Sequence, residues 1–80
     1  MTTLELQQAL IALGTPAHAY SLTGGFPNEA YCLDGSGGGW RVYYSERGNK
    51  NSLASFANES EACQFFLNVI ITDVMPHHPG

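Results

Sequence analysis

Residues 37–48 read GGGWRVYYSERG, and the reading of this stretch decides the fold. Trp40, Val42 and Tyr44 alternate with Arg41, Tyr43 and Ser45. Successive side chains leave a strand on opposite faces, so this alternation of aromatic, β-branched and polar residues predicts a half-buried central strand over residues 40–46. Glycines at 35, 37, 38 and 39 precede it. A chain reversal needs backbone freedom of that kind, which predicts a hairpin across residues 34–39. It leads back to a second strand at residues 29–33, with Glu29, Tyr31 and Leu33 on one face and Ala30 and Cys32 on the other.

Beyond the central strand, residues 47–51 (RGNKN) read as a polar turn, and residues 52–57, carrying Leu53 and Phe56, as a short fourth strand. Asn58 followed by Glu61 has the spacing of a helix N-cap with an acidic group three residues on. Ala62, Phe66, Val69 and Asp73 form one row of that helix, and Cys63, Leu67, Ile70 and Val74 the adjacent row. Phe65 and Ile71 widen the apolar arc, so the helix must be covered on more than one side. Pro76 stops it, and residues 76–80 read as a disordered tail.

At the other end, Thr2 and Glu5 have capping-box spacing, and Leu6, Ala9, Leu10 and Leu13 recur at three- and four-residue steps. Gly14, Thr15 and Pro16 end this helix, which is predicted over residues 3–13. Residues 17–22 alternate small and larger side chains, as a first strand does, and residues 23–28 form a turn rich in breakers. The order α-β-β-β-(β)-α predicts an α+β fold. Its expected form is an antiparallel three- to four-stranded meander with an N-terminal and a C-terminal helix packed on one face and the other face wet. A single domain over residues 1–80 is expected, with an ordered core of about residues 3–75.

The 80 residues are 44% apolar, as in a globular chain, and only 12% charged. Three basic residues, Arg41, Arg47 and Lys50, stand against seven acidic ones, giving a net charge of −4. Such a chain is poorly suited to a phosphate backbone and well suited to a basic partner. The element order matches that of double-stranded-RNA-binding domains, which place lysines at the start of the last helix. Here Asn58, Glu59, Ser60 and Glu61 stand there, and the acids would repel RNA. No basic region followed by an apolar run opens the sequence. The longest nearly apolar run, residues 65–74, is interrupted by Asn68, Thr72 and Asp73 and is too short to span a bilayer. A cytoplasmic protein that does not touch membranes is therefore expected.

Signs of catalysis are weak. His18 is far in sequence from His77 and His78, so no metal site is expected, and nothing near Cys32 or Cys63 activates a thiol. Both cysteines read as buried apolar groups. Glu29 and Glu46 face each other across neighbouring strands in some registers, but so small a domain leaves little room for a substrate cleft. The glycine run lacks a following Gly-Lys-Ser/Thr, so it is not read as a phosphate loop. No catalytic residue, cofactor or metal is expected. What remains is the sheet face opposite Val42, where Arg41, Tyr43, Ser45 and Arg47 are expected to face solvent with Tyr31 nearby. Tyrosine and arginine are enriched in interfaces, and acidic side chains supply charge around them. The expected partner-binding residues are Tyr31, Arg41, Tyr43, Glu46, Arg47, Glu29 and Asp34.

Between Tyr20 and Phe66 the chain runs through a Gly-Gly turn, NEAYCL, a glycine-rich gap, WRVYYSERG, a linker with Phe56, and EACQFF. This pattern resembles the small immunity proteins of bacterial polymorphic-toxin and contact-dependent growth-inhibition systems, WRVYYSERG beside AYCL being its most specific part. The resemblance implies a small, acidic, non-catalytic cytoplasmic protein that neutralises one cognate toxin domain by tight binding, a nuclease or another basic enzyme. Contact residues differ between subfamilies, so it assigns none here. The alternative, from another class, is a homo-oligomerising structural or adaptor domain, a homodimer formed through the last helix and a sheet edge.

Overall fold

In the computed structural model, which describes residues 1–25 and 27–74, the first helix, α1, spans Thr3–Ala12. It starts with the capping box read from the sequence. The Glu5 amide donates to Thr2 Oγ1 at 3.2 Å and the Thr2 amide to Glu5 Oε1 at 2.8 Å. A 3-10 turn, Ala17–Ala19, leads into β1, Tyr20–Ser21. The first strand is therefore shorter than its alternation suggests, because Ala17 and Ala19 favour a strand only weakly. β2 spans Ala30–Asp34 and β3 spans Trp40–Glu46, the latter residue for residue as expected.

β4 spans Asn49–Phe56 and begins earlier than expected. The turn before it is confined to Arg47 and Gly48, both at positive φ (50° and 82°). Two consecutive left-handed residues make the tight hairpin whose twist matches the flanking strands, and this draws residues 49–51 into the ladder. Helix α2, Glu59–Val69, is capped by Asn58 and continues as a π-helical turn over Ile70–Val74. The expected tail at residues 76–80, with His77 and His78, lies outside the described residues, as does Phe26 of the expected turn.

The four strands lie in the order β1-β2-β3-β4. The α+β layout is the expected one, with both helices on one face. Within it one pairing departs from a meander: β1 runs parallel to β2, Tyr20 beside Tyr31, while the other neighbours are antiparallel. Parallel neighbours cannot be joined by a hairpin, so the chain must cross one face of the sheet. The link between β1 and β2 makes that crossing, and it can be short because β1 is two residues long. With the helices on one face, the crossover takes the other.

On the helix face, Leu6 and Leu10 of α1 meet Ala62, Cys63, Phe66 and Ile70 of the last helix over Leu33 and Val42. Trp40, Phe56 and Phe65 close the end near the glycine hairpin, with Phe56 and Phe65 rings 5.4 Å apart. Each fully buried large side chain contributes about 1.5–3 kcal/mol by leaving water. Gly35 admits the Trp40 indole here, since a Cβ at that position would stand 2.6 Å from the ring. The two helices run side by side from a common end. The Met1 ammonium donates to Ser60 Oγ at 3.0 Å and the Thr3 amide to Glu59 Oε2 at 2.9 Å.

The opposite face is not wet. Ala30, Cys32, Tyr43 and Ser45 are buried there, and the Tyr43 hydroxyl donates to the Gly25 carbonyl of the crossover at 2.8 Å. Tyr43, only 3% exposed, and Ser45 were expected to face solvent; both are buried, and the crossover holds Tyr43 at Gly25. Alternation along β3 fixed which face each side chain takes, but not what lies over that face. The Ser45 hydroxyl has no hydrogen-bond partner among the described residues.

Candidate protein-binding site

The seven expected contact residues are split by the fold between two ends of the sheet and its covered face. Tyr43 is the buried member. Burial, and then the neighbouring Cys32, push its hydroxyl up to about 12, so it stays protonated and acts as a tie for the crossover. Asp34 and Arg41 form one cross-strand pair at the glycine-hairpin end. Their side chains are 3.6 Å apart. Asp34 Oδ1 also accepts from the Ser36 amide at 2.9 Å and the Ser36 hydroxyl at 2.7 Å. Those two hydrogen bonds, followed by the nearby Arg41, hold the Asp34 carboxyl below its ordinary range. Both residues thus serve the hairpin.

Glu29, Glu46 and Arg47 lie at the other end, five residues along β2 or roughly 17 Å away. Ala30 and Ser45 form the last pair of the β2–β3 ladder, and Glu29 and Glu46, the next residue on each chain segment, both lie near the Tyr44 hydroxyl. Neither carboxylate has a hydrogen-bond or ion-pair partner among the described residues. Glu29 itself has a positive φ of 55°, and the Asn28 side chain accepts from the Arg47 amide at 3.3 Å, fixing the two turns side by side.

Tyr31 was expected beside Arg41 and Tyr43 but stands on the helix face, opposite Tyr44. The reason is strand parity: residue 31 shares its face with Leu33, which packs under α2. The Tyr31 and Tyr44 rings are tilted at 60° with centroids 4.9 Å apart, a favourable edge-to-face geometry. Tyr31 donates to Asp73 Oδ2 at 3.2 Å, and Asp73 belongs to the π-helical turn that ends the last helix. Burial first, then the Asp73 carboxylate, raise the Tyr31 hydroxyl above its ordinary value. Burial, then Glu29 and Glu46, do the same for Tyr44.

Five residues therefore converge at this end: two half-buried tyrosines and the carboxylates of Glu29, Glu46 and Asp73. The C-terminal end of the last helix adds partial negative charge. Tyr44 and Asp73 were not among the expected contacts. Tyr44 was read as core, and Asp73 carried a usable signal, since it falls on the same helical row as buried Ala62 and Phe66 and therefore faces the sheet.

Elsewhere the surface offers shallow grooves. One of about 350 Å³ is lined by Thr3, Leu4, Gln7, Tyr20, Leu22 and Thr23, and one of about 290 Å³ runs from Gly37 past Trp40 and Arg41 to Phe56. Among the described residues, no cluster of His, Cys, Asp and Glu is arranged to hold a metal ion, and no helix is long and apolar enough to cross a membrane. Both cysteines are buried free thiols, and burial raises each of them. Compared with models of protein families, with curated proteins and with solved structures, the chain has no significant match.

Proposed function

We propose that this chain is a non-catalytic inhibitor of the immunity-protein type. It binds the basic surface of one toxin domain, a nuclease in the reading favoured here, in the cytoplasm and in a one-to-one complex. The contact surface is the tyrosine end: Tyr31 and Tyr44 as rigid aromatic anchors, Glu29, Glu46 and Asp73 as the charge that meets the toxin's phosphate-binding cleft, with Arg47 at the rim. Inhibition is by occlusion, since a ring of carboxylates occupies the positions that substrate phosphates would take.

One observation carries this reading. The carboxylates of Glu29 and Glu46 both lie near the Tyr44 hydroxyl, beside Tyr31, without a hydrogen-bond or ion-pair partner among the described residues. A basic partner would pair with them and gain association rate from the complementary field. Half-buried tyrosines supply contact area with little side-chain entropy left to lose.

Co-expression with the toxin domain encoded beside this chain, followed by affinity capture and a growth assay, tests the proposal. Restored growth with a one-to-one complex is expected. A demonstrably toxic neighbour that is neither bound nor neutralised would rule the reading out.

A further inference from the structure

The two edges of the sheet are unequal. β1 exposes two residues, whereas β4 presents eight, Asn49–Phe56, along an outer edge that pairs with no described strand. Long free edges are templates for another strand, and proteins blunt them with outward lysines, prolines, bulges or short length, of which β4 has only a bulge. β4 has no proline and no acidic residue. Its single charge, Lys50, is turned onto the sheet face, with Nζ 4.8 Å from the centre of the Tyr43 ring. A bulge makes Leu53 the extra residue opposite Val42 and Tyr43, and leaves it 44% exposed in the middle of the strand.

We propose that β4 pairs with β4 of a second copy, antiparallel about a two-fold axis near Ser52, to give a closed homodimer with one continuous eight-stranded sheet. Charge favours this occupant. In a chain of net charge −4, β4 is a surface where two copies meet without opposing carboxylates. The antiparallel arrangement sets the Glu46 end of one copy beside the Arg41 end of the other and keeps the two tyrosine ends apart. Leu53 of each copy lies close to the axis and supplies the apolar contact. The assembly stops at two because the remaining edges are both β1, too short to template a further strand. This dimer does not depend on the toxin reading, and it leaves the tyrosine ends open.

Sedimentation of the full chain over a concentration series tests the proposal, together with Leu53→Lys and with Leu4→Lys as a control on exposed α1. A reversible dimer without larger species is expected. Leu53→Lys should weaken it by about tenfold, since it sets like charges near the axis, and Leu4→Lys should leave it unchanged. In an otherwise wild-type chain, Ser52→Cys should cross-link to its copy on mild oxidation, because Cys32 and Cys63 are buried. A monomer at every concentration, a dimer that Leu4→Lys abolishes, or a Ser52→Cys chain that stays uncross-linked would overturn the proposal. So would a monomer whose Leu53→Lys variant loses only capture of the toxin domain, which would give the edge to a strand of that partner.

Discussion

The two ends of the molecule use the same side chains for different ends. At the glycine-hairpin and helix-start end, four carboxylates are engaged in folding: Glu5 and Glu61 close the caps of the two helices, Glu59 takes the first amide of α1, and Asp34 holds Ser36 and Arg41. At the tyrosine end, among the described residues, Asp73 accepts from a tyrosine hydroxyl, and Glu29 and Glu46 lie near Tyr44 without a hydrogen-bond or ion-pair partner. Acidic composition alone does not separate these roles. The hydrogen-bond partners do: at one end the carboxylates serve helices and turns as acceptors, and at the other Glu29 and Glu46 serve no such contact among the described residues.

The largest expected effect is on binding. Combining Glu29→Lys with Glu46→Lys should weaken association with a basic toxin domain by about 100-fold, mostly through loss of steering and complementarity, while thermal unfolding changes little. Equal binding by this variant would break the contrast between the ends. The next effect belongs to the covered face. Tyr43 keeps its proton up to about pH 12 in the folded chain, whereas an unfolded tyrosine loses it near 10. Stability attributable to Tyr43 is thus fully present below pH 10 and is lost between there and 12, on the order of 2–3 kcal/mol. Denaturation midpoints of wild type should fall more steeply over that range than those of Tyr43→Phe.

Smaller shifts sharpen the contrast. Glu59→Ala removes the acceptor for the Thr3 amide and a favourable charge at the helix starts, and should cost about 1 kcal/mol of stability in urea unfolding without altering toxin affinity. Glu29→Gln and Glu46→Gln should do the reverse. Neither should change the stability of the chain by more than about 0.5 kcal/mol, while binding weakens. A loss of stability from either glutamine would mean that the tyrosine end, too, is built for folding.

Much of the fold was legible because its signals are local. The Thr2 and Asn58 caps, the alternation over residues 40–46 and the glycine hairpin each depend on a few neighbouring residues, and each appears where the sequence places it. The parallel pairing of β1 was not legible, since strand direction depends on where α1 delivers Tyr20, not on Tyr20 and Ser21 themselves. Burial of Tyr43 followed from that unseen crossover. The candidate site was half legible: Glu29, Glu46, Arg47 and Tyr31 stand at one end, but their company with Tyr44 and Asp73 spans residues 31 to 73 and exists only once the last helix lies across the sheet. Asp34 and Arg41 were read for their charge, and the structure uses that charge within the hairpin.

The most direct measurement is a titration of isotope-labelled chain with the toxin domain, following tyrosine ring and carboxyl resonances by NMR. The largest changes should fall on Tyr31, Tyr44, Glu29, Glu46 and Asp73, with Glu5, Glu59 and Glu61 unmoved. Changes centred on Glu5, Glu59 and Glu61, with the tyrosine rings silent, would contradict the division of the molecule into a folding end and a binding end.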